Sequence, residues 1–357
     1  MKAVVLERAE KISVKEIPRP APASGEVLIR VKACGICGSD IRYFYGENPW
    51  SLQTLGISKP NPASIVLGHE FSGEIEGVGD EISPSRKGER VGVLAYKACE
   101  ECHYCKSGLH NLCANIRHLG HGAGWPKRKY YPGGMAEYCS VWSDKTYLLP
   151  KNITFEEATF LDGIAVAVHA VNRSRIIPGD DIVILGAGPI SLLILQVAKA
   201  FGVGKVFCVD VYNKPFEVAE EIGVDGIINA KRQNVVSQVM RATKSFGVNA
   251  VFDTVGTKET FTQGMKMLRR GGTLILLAVS QIQVPINVLD ISSERTITSS
   301  ANNLYPDYKT AISLLSAGRI SVKHIITHRF SLSEIHEAIK VATNKEIYNA
   351  LKVILFP

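Results

Sequence analysis

Between residues 181 and 278 the chain alternates short runs of β-branched and other apolar residues with stretches of helical spacing. The pattern predicts strands at Asp181–Leu185, Lys205–Asp210, Asp225–Ile228, Asn249–Asp253 and Thr273–Ala278, and helices at Pro189–Phe201, Pro215–Ile222 and Val235–Lys244. Strands this apolar, separated by helices, are expected to pair in parallel with both faces covered. The connections should be right-handed. The fold class expected is α/β, with a doubly wound parallel sheet.

The first 150 residues read differently. Short alternating or apolar segments at Lys2–Leu6, Ser13–Ile17, Val27–Ala33, Glu74–Val78, Arg90–Leu94 and Ala136–Val141 predict strands, punctuated by Pro and Gly clusters such as Pro18–Gly25. Helical spacing starts at Phe155 and runs to Arg173. From about residue 296 the strand–helix rhythm breaks. Helices are expected at Pro306–Ala317 and Ser333–Val341, and a last strand at Leu351–Leu355 that returns to the first domain. The division expected is a β-rich domain of residues 1–155 and 297–357 around a parallel-sheet domain of residues 156–296. No repeat or low-complexity tract stands out.

The 357 residues fit about two domains. Apolar residues make up 46% and charged residues 21%, as in an ordinary globular chain. The net charge of +7 is spread along the chain apart from Lys127-Arg128-Lys129, so no basic tract points to nucleic acid. The N-terminus lacks a charged-then-apolar signal pattern. The apolar run Ile182–Val203 is interrupted by Gly186, Gly188, Pro189 and Lys199; strand, turn and buried helix explain it better than a membrane span. A cytoplasmic protein without nucleic-acid or membrane partners is expected.

Four of the eight cysteines lie within fifteen residues, as Cys99-x2-Cys102-x2-Cys105-x7-Cys113. In a cytosolic chain such clustering indicates metal before disulfide. Four thiolates can close a tetrahedron around zinc at roughly 2.3 Å, leaving no position for water, so this site is structural.

In the second half, Ile182-Val183-Ile184-Leu185 runs into Gly186-Ala187-Gly188-Pro189-Ile190-Ser191 and then a helix. The first glycine permits the tight turn, and the second lets the backbone approach a pyrophosphate at the helix N-terminus. Ser191 replaces the usual third glycine, which predicts looser packing rather than lost binding. Asp210, about twenty residues on, can accept hydrogen bonds from adenosine ribose hydroxyls and would repel a 2′-phosphate, favouring NAD over NADP. Lys214 is close enough to pair with Asp210 or with a phosphate.

Two further segments, Cys34-Gly35-Ile36-Cys37-Gly38-Ser39-Asp40 and Gly68-His69-Glu70-Phe71-Ser72-Gly73, complete the picture. Together with the cysteine lobe and the βα half, they resemble the zinc-containing medium-chain alcohol dehydrogenases, in the sorbitol/polyol and threonine dehydrogenase-like branch. The resemblance spans essentially the whole chain. It implies a GroES-like catalytic domain beside a Rossmann domain, two zinc ions per chain, NAD, and a homo-oligomer, more readily a tetramer than a dimer.

It also implies that Cys37 and His69 bind the catalytic zinc, with Cys34 not a ligand. Asp162, seven residues before His169, takes the place of the third ligand. Glu70 resembles the family glutamate that can approach the metal; a hydrogen-bonded carboxylate behind the ligands is the other reading. Ser39 stands where relatives hydrogen-bond the substrate oxygen. Arg42 replaces the histidine that passes the proton onward in many relatives, and arginine is never deprotonated. It is read as an anion contact or as a salt-bridged surface residue. Thr254, Val255, Ala278 and Val279 match positions where family members contact cofactor.

The implied reaction is oxidation of a secondary alcohol, of polyol or sugar type, to a ketone. A threonine-type or phosphorylated-sugar substrate is the alternative, the latter motivated by Arg42 and residues 127–129. Loops Gly46–Ser64 and His118–Pro132 are expected to border the substrate. Two other classes compete: a zinc-free reductase of the same fold, which would lack the ligand sets, and a dinucleotide-binding sensor without turnover.

Overall fold

A computed structural model describes all residues, 1–357. In chain order, the first segment holds β1 (Lys2–Arg8), β2 (Lys11–Glu16), β3 (Glu26–Gly35), α1 (Gly38–Phe44), β4 (Ile65–Val66), β5 (Glu70–Val78), β6 (Arg90–Val93) and β7 (Tyr96–Lys97). Then come α2 (His103–Lys106), β8 (Arg117–His118), β9 (Tyr138–Trp142), β10 (Thr146–Leu148) and α3 (Phe155–Ala158). The middle holds α4 (Leu161–Ser174), β11 (Ile182–Leu185), α5 (Pro189–Ala200), β12 (Val206–Asp210), α6 (Asn213–Ile222), β13 (Gly226–Asn229) and α7 (Val235–Ala242). It continues with β14 (Val248–Asp253), α8 (Lys258–Met267), β15 (Leu268–Leu276) and β16 (Thr296–Ser299). The last segment adds α9 (Tyr305–Ser316), β17 (Ile326–Ser331), α10 (Ile335–Thr343), α11 (Lys345–Tyr348) and β18 (Lys352–Phe356).

Two compact units result. One comprises residues 1–162, 304–316 and 322–357, the other residues 163–303 and 317–321. The boundaries at 155 and 297 expected from the sequence therefore shift. α3 packs on β3 and β5 and stays with the first unit, whereas β16 extends the sheet of the second by pairing in parallel with β15.

The first unit is the β-rich one. Its largest sheet runs β10-β6-β5-β3-β18-β17, with β9 also on β3. β18 does return from the far end of the chain, pairing Ile354 with Gly35 and Leu355 with Cys34 at the point where β3 enters the site. Val27, Ile29 and Val31 alternate inward from β3 and meet Phe71, Ile75 and Val91 in a buried core.

The second unit is a six-stranded sheet in the order β13-β12-β11-β14-β15-β16, every pairing parallel. All four residues of β11 are buried, as a central strand covered on both faces requires. α5 starts with Pro189 in its first turn, where no N–H is missed. α7 is capped by the Asn234 side chain, which accepts from Ser237 N at 3.0 Å.

α8, β16 and β17 were not expected from the sequence. α8 spends Thr, Gln and Lys on its outer face and offers only Phe261, Met265 and Met267 as large buried residues. The expected Phe155–Arg173 helix is two helices, broken where Thr159 caps α3. No helix is long and apolar enough to cross a membrane.

Candidate active site and cysteine lobe

β3 carries the chain past buried Cys34 into the Ile36–Cys37 turn, and Cys37 becomes the N-cap of α1. The Asp40 side chain turns back on this corner. One carboxylate oxygen accepts from Cys37 N at 2.8 Å; the other accepts from Gly68 N at 3.3 Å and lies 3.6 Å from His69 Nδ1. Asp40 is wholly buried. One side chain thus clamps both expected zinc ligands, a role that its place in the motif does not reveal. Gly68 has φ 93°, and a Cβ there would sit 2.6 Å from Cys34 Sγ, so only glycine lets the chain turn His69 toward Cys37.

The ligand atoms of Cys37, His69 and Glu70 all lie within 4.8 Å of one another. A thiolate, an imidazole and a carboxylate at that spacing suit zinc with a position left open. The carboxylate behind His69 is the arrangement that orients an imidazole toward a metal. Burial opposes a charge on His69, yet Asp40 and Cys37 together outweigh it and raise its pKa well above the ordinary value. The same environment that favours a proton here favours a metal cation.

Asp162, expected as the third ligand, is not in this mutually close group; Glu70 is. Asp162 lies in the first turn of α4, where its charge contributes to the raised pKa values of buried Tyr96 and Tyr308. Glu70 has a second partner that sequence reading missed. Lys352, on β18, is buried and ion-paired with it. Burial works against the ammonium, but the Glu70 charge outweighs that and raises the Lys352 pKa. Cys34 remains outside the ligand set as a buried thiol, its pKa pushed well up by burial.

Ser39 Oγ lies 3.4 Å from His69 Nε2, the ring nitrogen opposite the one that faces Asp40. Arg42, one turn further along α1, pairs through Nε with Glu47 at 2.7 Å. The basic cluster is also engaged: Arg128 stacks on Trp125 with its guanidinium carbon 4.4 Å from the ring centre, and Lys129 lies over Tyr130. Arg128 and Lys129 line a cavity of about 480 Å³ with Met1, Pro18 and Tyr138, a set that includes neither zinc ligands nor Arg42.

A run of stacked rings leads away from the site. Tyr43 of α1 stacks on His121 with centres 5.2 Å apart; His121 packs on His118 at 4.4 Å, His118 on Tyr96 at 5.6 Å, Tyr96 on Tyr305 at 5.4 Å and Tyr305 on His110 at 4.6 Å. Burial lowers the pKa of His118 to about 3 and that of His121 well below the ordinary value, so both are neutral at pH 7.

His110 borders the cysteine lobe. The sulfurs of Cys99, Cys102, Cys105 and Cys113 lie 3.5–4.0 Å apart along four edges. A zinc tetrahedron with ~2.3 Å bonds has edges of about 3.8 Å. None of the four is in a disulfide. Backbone N–H groups of Cys105 and Ala114 bring Cys102 down to about 6, and Asn115 N donates to Cys113 Sγ at 3.3 Å. These donors favour thiolate, the form that binds metal, and prevail at Cys102, whereas burial pushes Cys105 and Cys113 up.

In the second unit, Gly186 follows β11 with φ 95°, and a Cβ there would meet Thr254 Oγ1 at 2.4 Å. Gly188 caps α5, and a Cβ at Gly188 would meet nothing within 4 Å, which leaves its surroundings open to a pyrophosphate. Ile190 follows Pro189 in the first turn of α5. The looser packing expected from Ser191 is not what forms. Ser191 is fully buried and bonds to Thr254 Oγ1 at 2.8 Å, while Thr254 also donates to Leu185 O at 2.9 Å.

Asp210, ending β12, accepts from Ala187 N at 2.6 Å and from Val211 N at 2.6 Å, so it steadies the glycine turn itself. Lys214 pairs with Glu217 at 2.7 Å rather than with Asp210. Val255 is exposed beyond β14; its N–H, like that of Gly256, donates to Asp253. Ala278 and Val279 follow β15, with Ala278 against Gly256. All these positions collect at the carboxyl ends of the strands, where open α/β sheets bind dinucleotides.

Residues 23–151 match the model of the alcohol dehydrogenase GroES-like domain, and residues 189–317 that of the zinc-binding dehydrogenases. The sorbitol dehydrogenase of Bacillus subtilis (strain 168) is 30% identical over 358 residues, covering 100% of this chain and 97% of that one. D-xylulose reductase A of Aspergillus oryzae is 31% identical over 343 residues, covering 94% and 91%. Among solved structures, an alcohol dehydrogenase of E. coli CFT073 complexed with NADH superposes with TM-score 0.89 at 27% identity, covering 100% and 99%. A zinc-binding dehydrogenase of Sinorhizobium meliloti 1021 bound to NADP gives 0.88 at 28% identity, covering 100% and 99%. The chain belongs to the zinc-containing medium-chain alcohol dehydrogenases. It is an enzyme that uses zinc and a nicotinamide cofactor to move a hydride to or from an alcohol carbon.

Proposed function

We propose that the enzyme oxidises a secondary hydroxyl of an uncharged polyol to a ketone, with NAD, and holds two zinc ions per chain. The observation that carries this reading is the Cys37–His69–Glu70 set with Ser39 beside it. Sorbitol dehydrogenases and D-xylulose reductases among the relatives support the substrate class. When bound, zinc would supply a Lewis acid toward the alcohol oxygen, and the nicotinamide an acceptor for the hydride.

The residues of this chain do the rest. Cys37 and His69, positioned by Asp40, would hold the catalytic zinc together with Glu70. Ser39 Oγ would hydrogen-bond the reacting oxygen and relay its proton, accepting it as the serine's own hydroxyl proton passes to solvent without help from residue 42. Asp162 shapes the field around Tyr96 and Tyr308. Cys99, Cys102, Cys105 and Cys113 hold the second zinc. Gly186, Gly188, Pro189 and Ile190 form the pyrophosphate turn, and Asp210 meets the adenosine ribose and disfavours NADP.

Arg128 and Lys129 line a cavity whose residues include neither the zinc ligands nor Arg42, which speaks against their holding the phosphate of a sugar at the reaction centre. A homotetramer and a cytoplasmic location complete the reading. A panel of xylitol, sorbitol, a polyol phosphate, L-threonine and butan-2-ol with NAD and NADP, followed by reduced-cofactor absorbance, tests it. The highest kcat/KM is expected for a free polyol with NAD. A preference for the phosphate or the amino acid overturns the substrate class.

A further inference from the structure

His121 is 7% exposed, and its Nδ1 is buried with no hydrogen-bond partner. Buried polar atoms in folded proteins are paired almost without exception, so an unpaired one beside a reaction centre needs a reason. His121 is also held in place. Its ring lies parallel to Tyr43, with 9° between planes, and packs on His118 on the loop that carries it.

Tyr43 is itself fixed: its hydroxyl donates to Asn48 Oδ1 at 3.4 Å and accepts from Trp50 N at 3.3 Å. Trp50, tied to the same tyrosine, carries a second buried nitrogen without a partner, its indole Nε1. The sandwich stands beside the Cys37–His69–Glu70 set. The His121 ring meets His69 edge-on, with centres 6.3 Å apart, and Tyr43 follows Ser39 by one turn of α1.

We propose that His121 is a specificity-determining residue which hydrogen-bonds the hydroxyl adjacent to the one being oxidised. This inference rests on the polyol reading above. A monohydric alcohol leaves the imidazole nitrogen unpaired when water is expelled from the site, whereas a vicinal diol supplies the missing partner. A site built to bond a hydroxyl discriminates strongly against analogues that lack it, because its own buried group then goes unsatisfied. The stacking removes the rotamer freedom that would otherwise be lost on binding.

The test uses the zinc-loaded enzyme and H121F, which keeps a ring for Tyr43 and removes both nitrogens, with H121N as a second variant that keeps a hydrogen-bonding group. kcat/KM is measured for xylitol and for butan-2-ol with NAD. In parallel, the rise in Tm caused by xylitol in the presence of NADH reports binding without turnover. The ratio of xylitol to butan-2-ol kcat/KM is expected to fall about tenfold or more in H121F, mainly through KM, and to recover in part in H121N. The xylitol-induced rise in Tm should shrink in parallel.

Equal losses on both alcohols, or no loss, overturn the assignment of His121 while leaving the polyol reading intact. Failure of the unsubstituted enzyme to oxidise any polyol overturns that reading instead, and the assignment of His121 falls with it.

Discussion

Lys352 reaches Glu70 from 282 residues further along the chain and forms with it an ion pair buried against the zinc ligands. The ammonium compensates a carboxylate that would otherwise be buried next to a thiolate. Removing one partner of such a pair leaves a charge uncompensated, at a cost of about 3–5 kcal/mol. K352M should therefore lower the Tm of the metal-free protein sharply. The zinc-loaded form should lose less, since a bound cation would itself compensate Glu70. The double variant K352M/E70Q should recover most of the metal-free stability. Thermal unfolding with and without zinc checks all three; equal losses in both forms of K352M would separate Lys352 from the metal site.

Asp40 binds the backbone of both corners of the site and faces the back of His69. D40N keeps the shape and weakens each of these contacts. Zinc affinity at the catalytic position should drop about 10- to 100-fold, as for other partners of metal-bound histidines. Competition with a chelator measures this, with the cysteine lobe as internal reference. An unchanged affinity would show that Asp40 only caps α1.

Much of this site was legible in the sequence, and the limits have physical causes. Cys37, His69 and the four-cysteine lobe announce themselves because metals need particular donors at short spacing. Gly186 does so because its tight turn, at φ 95°, excludes other side chains, and Gly188 because it leaves a helix N-terminus open to a pyrophosphate. Lys352 carries no such mark: one lysine in a final strand is ordinary until β18 is seen to pair with β3. Asp40 lies in the Cys34–Asp40 motif and His121 in the His118–Pro132 loop, but their roles depend on side-chain direction. The sequence pattern implies looser packing at Ser191 because its bond to Thr254 joins residues 63 positions apart. β16 and β17 were missed because each mixes Thr, Ser or His with few apolar residues, and both depend on neighbouring strands for their place.

The two neutral histidines of the ring stack give a pH dependence with a definite sign. The pKa of His118 is lowered on folding from 6.5 to about 3, and that of His121 is also lowered. Below pH 6.5 the unfolded chain binds protons that these folded groups refuse, so stability is full above 6.5 and is lost as pH falls toward the folded values. H118Q should flatten the fall in ΔG between pH 6.5 and 4, measured by urea unfolding with zinc present. A slope unaffected by the substitution would show that His118 takes up its proton in the folded state.

Asp210 serves two roles that a substitution can part. D210N retains an acceptor for Ala187 N–H but loses the charge that repels a 2′-phosphate. Its kcat/KM should drop with NAD and rise with NADP, moving the NADP/NAD ratio up by at least about tenfold. Steady-state kinetics with both cofactors check this. A ratio that stays fixed would restrict Asp210 to steadying the turn.

The most direct measurement is zinc per chain by native mass spectrometry, paired with alcohol oxidation, for the unsubstituted protein, C37S and E70Q. The account predicts about two zinc ions in the first and about one in each variant, with the remaining ion in the cysteine lobe and turnover abolished in C37S. Two ions retained in C37S with normal turnover would contradict it, as would a full complement in E70Q accompanied by metal loss in D162N.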